Sequence, residues 1–204
     1  MTKPESMQLV PENSHSVEDI SKSNLGFWIY LMTDCVVFAS LFAVYAVMHK
    51  STSGGPNAAE LFSLPFVLIE TIILLTSSFT SGLVTLAAVN KNKKMVIFWL
   101  VVTFLLGASF LAMELFEFSK LVGEGHSWQA SGFLSSYFTL VGTHGLHIAV
   151  GLVWLVFLVV FVLSRGLTYE SHKRLTLFST FWHFLDIVWI FIFSMVYLLG
   201  VLDL

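Results

Sequence analysis

Five long apolar stretches set what this chain can fold into. They are Leu25–Met48, Leu61–Val89, Met95–Phe118, Gly132–Leu163 and Leu175–Leu202. Each holds the roughly 20 mostly apolar residues that a helix needs to cross a bilayer. In hydrocarbon, backbone polar groups must be satisfied within the segment, so such stretches become helices. The predicted fold is therefore all-α, a polytopic membrane bundle of five transmembrane helices. Composition agrees: 56% of the 204 residues are hydrophobic and 11% charged, against about 25% charged in soluble domains. No connecting segment is long enough to fold alone, so the reading is a polar N-terminal tail, residues 1–24, followed by one transmembrane domain, residues 25–204. The tail carries Pro4, Pro11 and several serines and reads as disordered.

The cationic residues orient the bundle. Lys3 and Lys22 of the tail, Lys91, Lys93 and Lys94 of the second loop, and Arg165, Lys173 and Arg174 of the fourth share one side; only Lys50 and Lys120 lie on the other. The positive-inside rule then predicts a cytoplasmic N-terminus and a periplasmic C-terminus. Trp28, Tyr30, Trp99 and Trp128 stand near span ends, where amphipathic rings favour the interface. A net charge of −3 gives no reason to expect a nucleic-acid partner. The single cysteine, Cys35, excludes an internal disulfide. A turn signal, Ser53-Gly54-Gly55-Pro56-Asn57, separates the first two spans.

Function is sought in the ionisable groups inside the spans, which are costly there and normally face the bundle interior. They are Asp34, Glu70, Glu114, Glu117, Asp186, His144, His147 and His183. His144 and His147 lie three apart on neighbouring faces of a helix; they suit a metal or haem site, or two buried histidines bonding across helices. His183 and Asp186 repeat that spacing and read either as part of a proton relay or as an internal polar clasp. Asp34 and His183 fall at similar depth, about 12–14 Å from the cytoplasmic end at about 1.5 Å per residue, so Asp34 is expected close to His183 or Asp186. Glu70 either bonds to a neighbouring helix or lines a polar groove. Ser78 and Gly82 on its span form a small-xxx-small pair suited to close packing. Glu114 and Glu117 fall in the last turns before the third loop and are read as interfacial, solvated acids. No phosphate loop, nucleophile elbow or cysteine ligand set is present. The chain has no catalytic residues of its own on this reading.

Several motifs, in order along the spans, resemble subunit III of the haem-copper terminal oxidases. They are Gly26-Phe27-Trp28-Ile29-Tyr30-Leu31-Met32-Thr33-Asp34, Glu114-Leu115-Phe116-Glu117, Gly142-Thr143-His144-Gly145-Leu146-His147 and Phe181-Trp182-His183-Phe184-Leu185-Asp186-Ile187-Val188-Trp189. The loop around Gly54-Gly55-Pro56 and Leu64-Pro65-Phe66-Val67-Leu68-Ile69-Glu70 most resemble the bacterial quinol-oxidising branch; the cytochrome c-oxidising branch is the alternative. Like the quinol-branch subunits and some cytochrome c oxidase subunits, the chain lacks the first two of the seven helices of many relatives.

The resemblance implies a bacterial inner-membrane subunit with no haem, copper or other metal of its own. It implies packing beside catalytic subunit I, which holds the haems and copper, in a complex with subunits II and IV. Such subunits bind phospholipid in a cleft between helices and support the stability and sustained proton uptake of the catalytic subunit. The family's buried, carbodiimide-reactive acid maps onto Asp34, an aspartate where many relatives have glutamate. Arg165, Lys173 and Arg174 are the candidates for lipid headgroups, at the cytoplasmic headgroup level. Two readings from other classes stand beside this one: a stand-alone haem b protein using His144, His147 or His183, and a small proton or ion transporter using Asp34, Glu70 and Asp186.

Overall fold

The structure, a computed structural model, describes residues 13–52, 61 and 63–202. Among the described residues, five helices are long and apolar enough to cross a membrane: α1 (Asn13–Met48), α2 (Leu64–Val89), α3 (Lys93–Gly123), α4 (Gly132–Arg165) and α5 (Tyr169–Ile192). A π-helical turn, Phe193–Leu198, and a last short helix α6, Leu199–Leu202, continue α5. The expected spans thus match helices, with two differences. Helix α1 starts at Asn13, so the part of the N-terminal tail from that residue on is helical where disorder was expected. Helix α3 runs on to Gly123, which moves Glu114 and Glu117 away from its end. The Gly54-Gly55-Pro56 turn lies outside the described residues.

Local chemistry sets the helix ends. Pro65 sits in the first turn of α2, where its missing N–H costs nothing. The side chains of Asn92 and Ser131 accept from Met95 N (3.3 Å) and Leu134 N (3.1 Å), capping α3 and α4. Thr168 and Ser171 form a capping box on α5. Gly166 stops α4 in a left-handed conformation, φ +73°, which glycine adopts at no steric cost.

The chain divides within α1 into two compact units, Met1–Val36 and Val37–Leu204. In the second, α2 packs on α3, α3 on α4, α4 on α5 and α5 back on α2, so four helices close a ring. The last turns of α1 lie against α4 and the end of α5: Phe38 meets His144 and His147, and Tyr45 meets Phe133. Apolar side chains such as Phe79, Leu105 and Phe157 point outward, as lipid-facing positions require.

Small residues let the ring close. Trp182 of α5 lies between Gly107 of α3 and Gly151 of α4; a β-carbon there would come within 2.8 and 2.7 Å of its indole. The indole N–H donates to Ser77 Oγ of α2 at 3.1 Å. Around it a polar seam ties α2 to its neighbours: Thr80 Oγ1 to Thr103 Oγ1 (2.9 Å), Ser81 Oγ to Ser179 Oγ (3.2 Å) and Trp189 Nε1 to Thr71 Oγ1 (3.0 Å). Water cannot compete for these bonds inside a bilayer, and each contributes about 0.6–2 kcal/mol.

Candidate functional site

The ring interior brings together carboxyl groups that the sequence places far apart. Glu70 of α2 is 0% exposed, and Glu114 and Glu117 of α3 are 2% and 8% exposed. Burial corrects the expectation that Glu114 and Glu117 are interfacial acids. Because α3 extends past them to Gly123, they sit more than a turn inside and turn toward the ring. Glu114 presses its carboxyl against α4 at Gly145, where a β-carbon would lie 2.6 Å from Oε1. Glu70, Glu114 and Glu117 are close enough to interact electrostatically.

Two tyrosines complete the cluster. Tyr137 of α4 and Tyr197 of the π-helical turn both donate to Glu117 Oε2, at 3.3 and 3.1 Å, and their hydroxyl oxygens are 3.0 Å apart. Both rings are fully buried. Neither tyrosine stood out in the sequence. Tyr197 lies just beyond the regular part of α5, and only the extra residue of a π-turn accompanies its entry into the ring. The oxygens of Glu70 and Glu114 have no hydrogen-bond partner among the described residues.

The histidines occupy three different settings. His144 is 0% exposed, with its ring stacked on Trp189 (5.3 Å between centroids) and edge-on to Phe110 (6.1 Å). His147 Nδ1 bonds to the carbonyl of Thr143 at 2.7 Å, one turn back on its own helix. His183 Nδ1 bonds to Ser78 Oγ of α2 at 2.6 Å, and Asp186 interacts with both Ser78 and His183. Ser78 thus joins the His183 and Asp186 pair to α2. Among the described residues no three His, Cys, Asp or Glu side chains are arranged to hold a metal ion.

Asp34 belongs to the first unit, with Tyr30 one turn away bonding to its carboxyl. His183 and Asp186 belong to the second, so the closeness expected of Asp34 joins two separate units and stays an expectation. At the other end of the ring, Arg165 of α4 and Arg174 of α5 place their guanidiniums over one ring, that of Phe161, at 5.5 and 4.6 Å. Lys93 of α3 reaches the same end and donates to the carbonyl of Leu163 at 3.0 Å. Lys173, next to Arg174 on α5, is half-buried.

The buried polar seam, the carboxyl cluster and the five spans define a membrane-embedded helical bundle. The chain belongs to the cytochrome c oxidase subunit III family, whose profile matches residues 10–201. It is a multi-pass subunit of a haem-copper terminal oxidase in the bacterial inner membrane. Among its relatives is the cytochrome bo(3) ubiquinol oxidase subunit 3 of Pseudomonas aeruginosa, 52% identical over 94% of this chain and 91% of the relative. The corresponding subunit of Pseudomonas putida is 53% identical over 87% of this chain and 86% of the relative. The cytochrome c oxidase subunit 3 of Bacillus sp. (strain PS3) is 44% identical over 96% of this chain and 94% of the relative.

Proposed function

We propose that the chain is the third, non-catalytic subunit of a proton-pumping quinol oxidase of the cytochrome bo type. The observation that carries the quinol branch is identity of 52% along nearly the whole chain to a ubiquinol oxidase subunit. Identity of 44% to a cytochrome c oxidase subunit keeps that branch as the second reading. Side-chain bonds such as Ser78 to His183 and Thr80 to Thr103 tie the described helices together, which supports the reading of a scaffold that packs beside catalytic subunit I, with subunits II and IV, and supports its stability and proton uptake. Purification of the tagged chain from membranes in mild detergent tests this. Co-purification of a haem-copper oxidase that oxidises ubiquinol is the expected result. A complex that oxidises only cytochrome c moves the chain to the second branch, and recovery without any oxidase overturns both.

Phospholipid binding belongs to the same proposal. Arg165 and Arg174 share Phe161, with Lys93 close by and Lys173 adjacent in sequence, which gathers cationic groups where a headgroup phosphate would lie. The orientation does too: the end that carries Lys93, Arg165 and Arg174 faces the cytoplasm by the positive-inside rule. Single cysteines placed at Asn92 and at Trp128, in a chain with Cys35 replaced by serine, test it. Labelling of the Asn92 position only after the inner face is made accessible, and of the Trp128 position from outside, is expected; the reverse pattern overturns the assignment.

A further inference from the structure

Glu117 Oε2, Tyr137 Oη and Tyr197 Oη form a triangle with edges of 3.3, 3.1 and 3.0 Å. All three edges are within hydrogen-bond reach, yet the two hydroxyls supply only two protons. While Glu117 is ionised, one edge has no proton. A proton on Glu117 would fill it, each oxygen then donating to the next around a closed ring.

The surroundings favour such an exchange. Two hydroxyl donors on one carboxylate oxygen favour its charged form, while burial of Glu117 works against it. Glu70 and Glu114 stand on the other side. Each is almost wholly buried and none of their four oxygens has a partner among the described residues. A buried carboxylate with neither donor nor cation is costly. Both stand near Glu117, and Glu70 comes from a different helix than the other two acids. Among the described residues nearby are His144 on α4, packed on Trp189, which in turn meets the Tyr197 ring, and Tyr45 on α1, whose hydroxyl reaches Val196 O at 3.5 Å.

We propose that Glu117, Tyr137 and Tyr197, backed by Glu114 and Glu70, form a proton-binding site inside the helix ring. On binding, the Glu117 carboxylate takes a proton from hydronium, leaves water behind, and donates to a tyrosine hydroxyl. On release the same proton returns to water and Glu117 again accepts from both tyrosines. The site requires no partner subunit, since α2, α3, α4 and the π-helical turn of this chain supply every group.

An infrared titration of the full chain, reconstituted in vesicles of phosphatidylcholine and phosphatidylglycerol, tests this. Acidification is expected to raise a protonated-carboxyl band that shifts in D2O, and Glu117→Gln is expected to remove the part of the band that titrates. Tyr137→Phe removes one donor from the charged form and is expected to move the midpoint to higher pH by about one unit. Its change is a single hydroxyl, so it decides the matter even if Glu117→Gln fails to fold. A titrating band that Glu117→Gln leaves intact overturns the proposal, as does a midpoint that Tyr137→Phe leaves in place or the lack of any titrating carboxyl band.

Discussion

The Tyr197 hydroxyl donates to Glu117 Oε2 at 3.1 Å across a separation of 80 residues. The bond joins α3 to the π-helical turn that follows α5 and helps to hold the end of the last span. Tyr197→Phe leaves Glu117 with one hydroxyl donor in place of two. The expected cost is about 1–3 kcal/mol, the penalty for taking a donor from a buried charged acceptor. Denaturant titration in mixed micelles measures it; a change within a few tenths of a kcal/mol would show that the bond is not formed.

The slot for Trp182 makes a second prediction. Gly107→Ala and Gly151→Ala each push a methyl group into the indole from one side, at 2.8 and 2.7 Å. The ring cannot yield toward either glycine, so overpacking should cost about 1–3 kcal/mol at each. Gly82→Ala is the control, since its nearest neighbour, His183 Nε2, lies 4.0 Å away. Thermal unfolding of the three variants should separate the first two from the third.

Ser78 and His183 should be energetically coupled. Their 2.6 Å contact is the bond that ties the His183 and Asp186 turn of α5 to α2. A double-mutant cycle with Ser78→Ala and His183→Phe is expected to give an interaction energy of about 0.5–3 kcal/mol. Additive effects would mean that the serine and the histidine act independently.

Arg165 and Arg174 share the ring of Phe161, so their effects on lipid should be linked. Arg165→Gln with Arg174→Gln is expected to lower the anionic phospholipid that co-purifies with the chain by severalfold. Phe161→Ala should produce part of that loss, because each guanidinium contributes about 0.5–1 kcal/mol through its contact with the half-buried Phe161 ring. Mass spectrometry of the extracted lipid reads the result; unchanged lipid content in the double variant would place the headgroup site elsewhere.

Span positions were legible in the sequence because a bilayer imposes length and apolarity on each segment separately, without reference to the others. Gly132, where an apolar run begins, is accordingly the first residue of α4. The role of Glu114 and Glu117 was not legible. The apolar run ends at Phe118, whereas α3 continues for five more residues, Ser119 to Gly123. Whether an acid near a span end faces water or the interior depends on which way its helix is turned, and that is set by neighbours. Tyr137 and Tyr197 carried no signal at all, since a tyrosine in an apolar span reads as an ordinary aromatic.

Sequence alone therefore determined the number of spans, the family, and the list of ionisable residues paid for inside the membrane. Each depends on composition within a segment or on short motifs. Tertiary structure decided which of those residues meet. Glu117 finds Tyr137 and Tyr197 because α3, α4 and the π-helical turn converge, and Trp182 finds Ser77 because Gly107 and Gly151 let α5 approach. Such pairings rest on helix rotation and close packing between distant segments, and no local pattern in the chain encodes them.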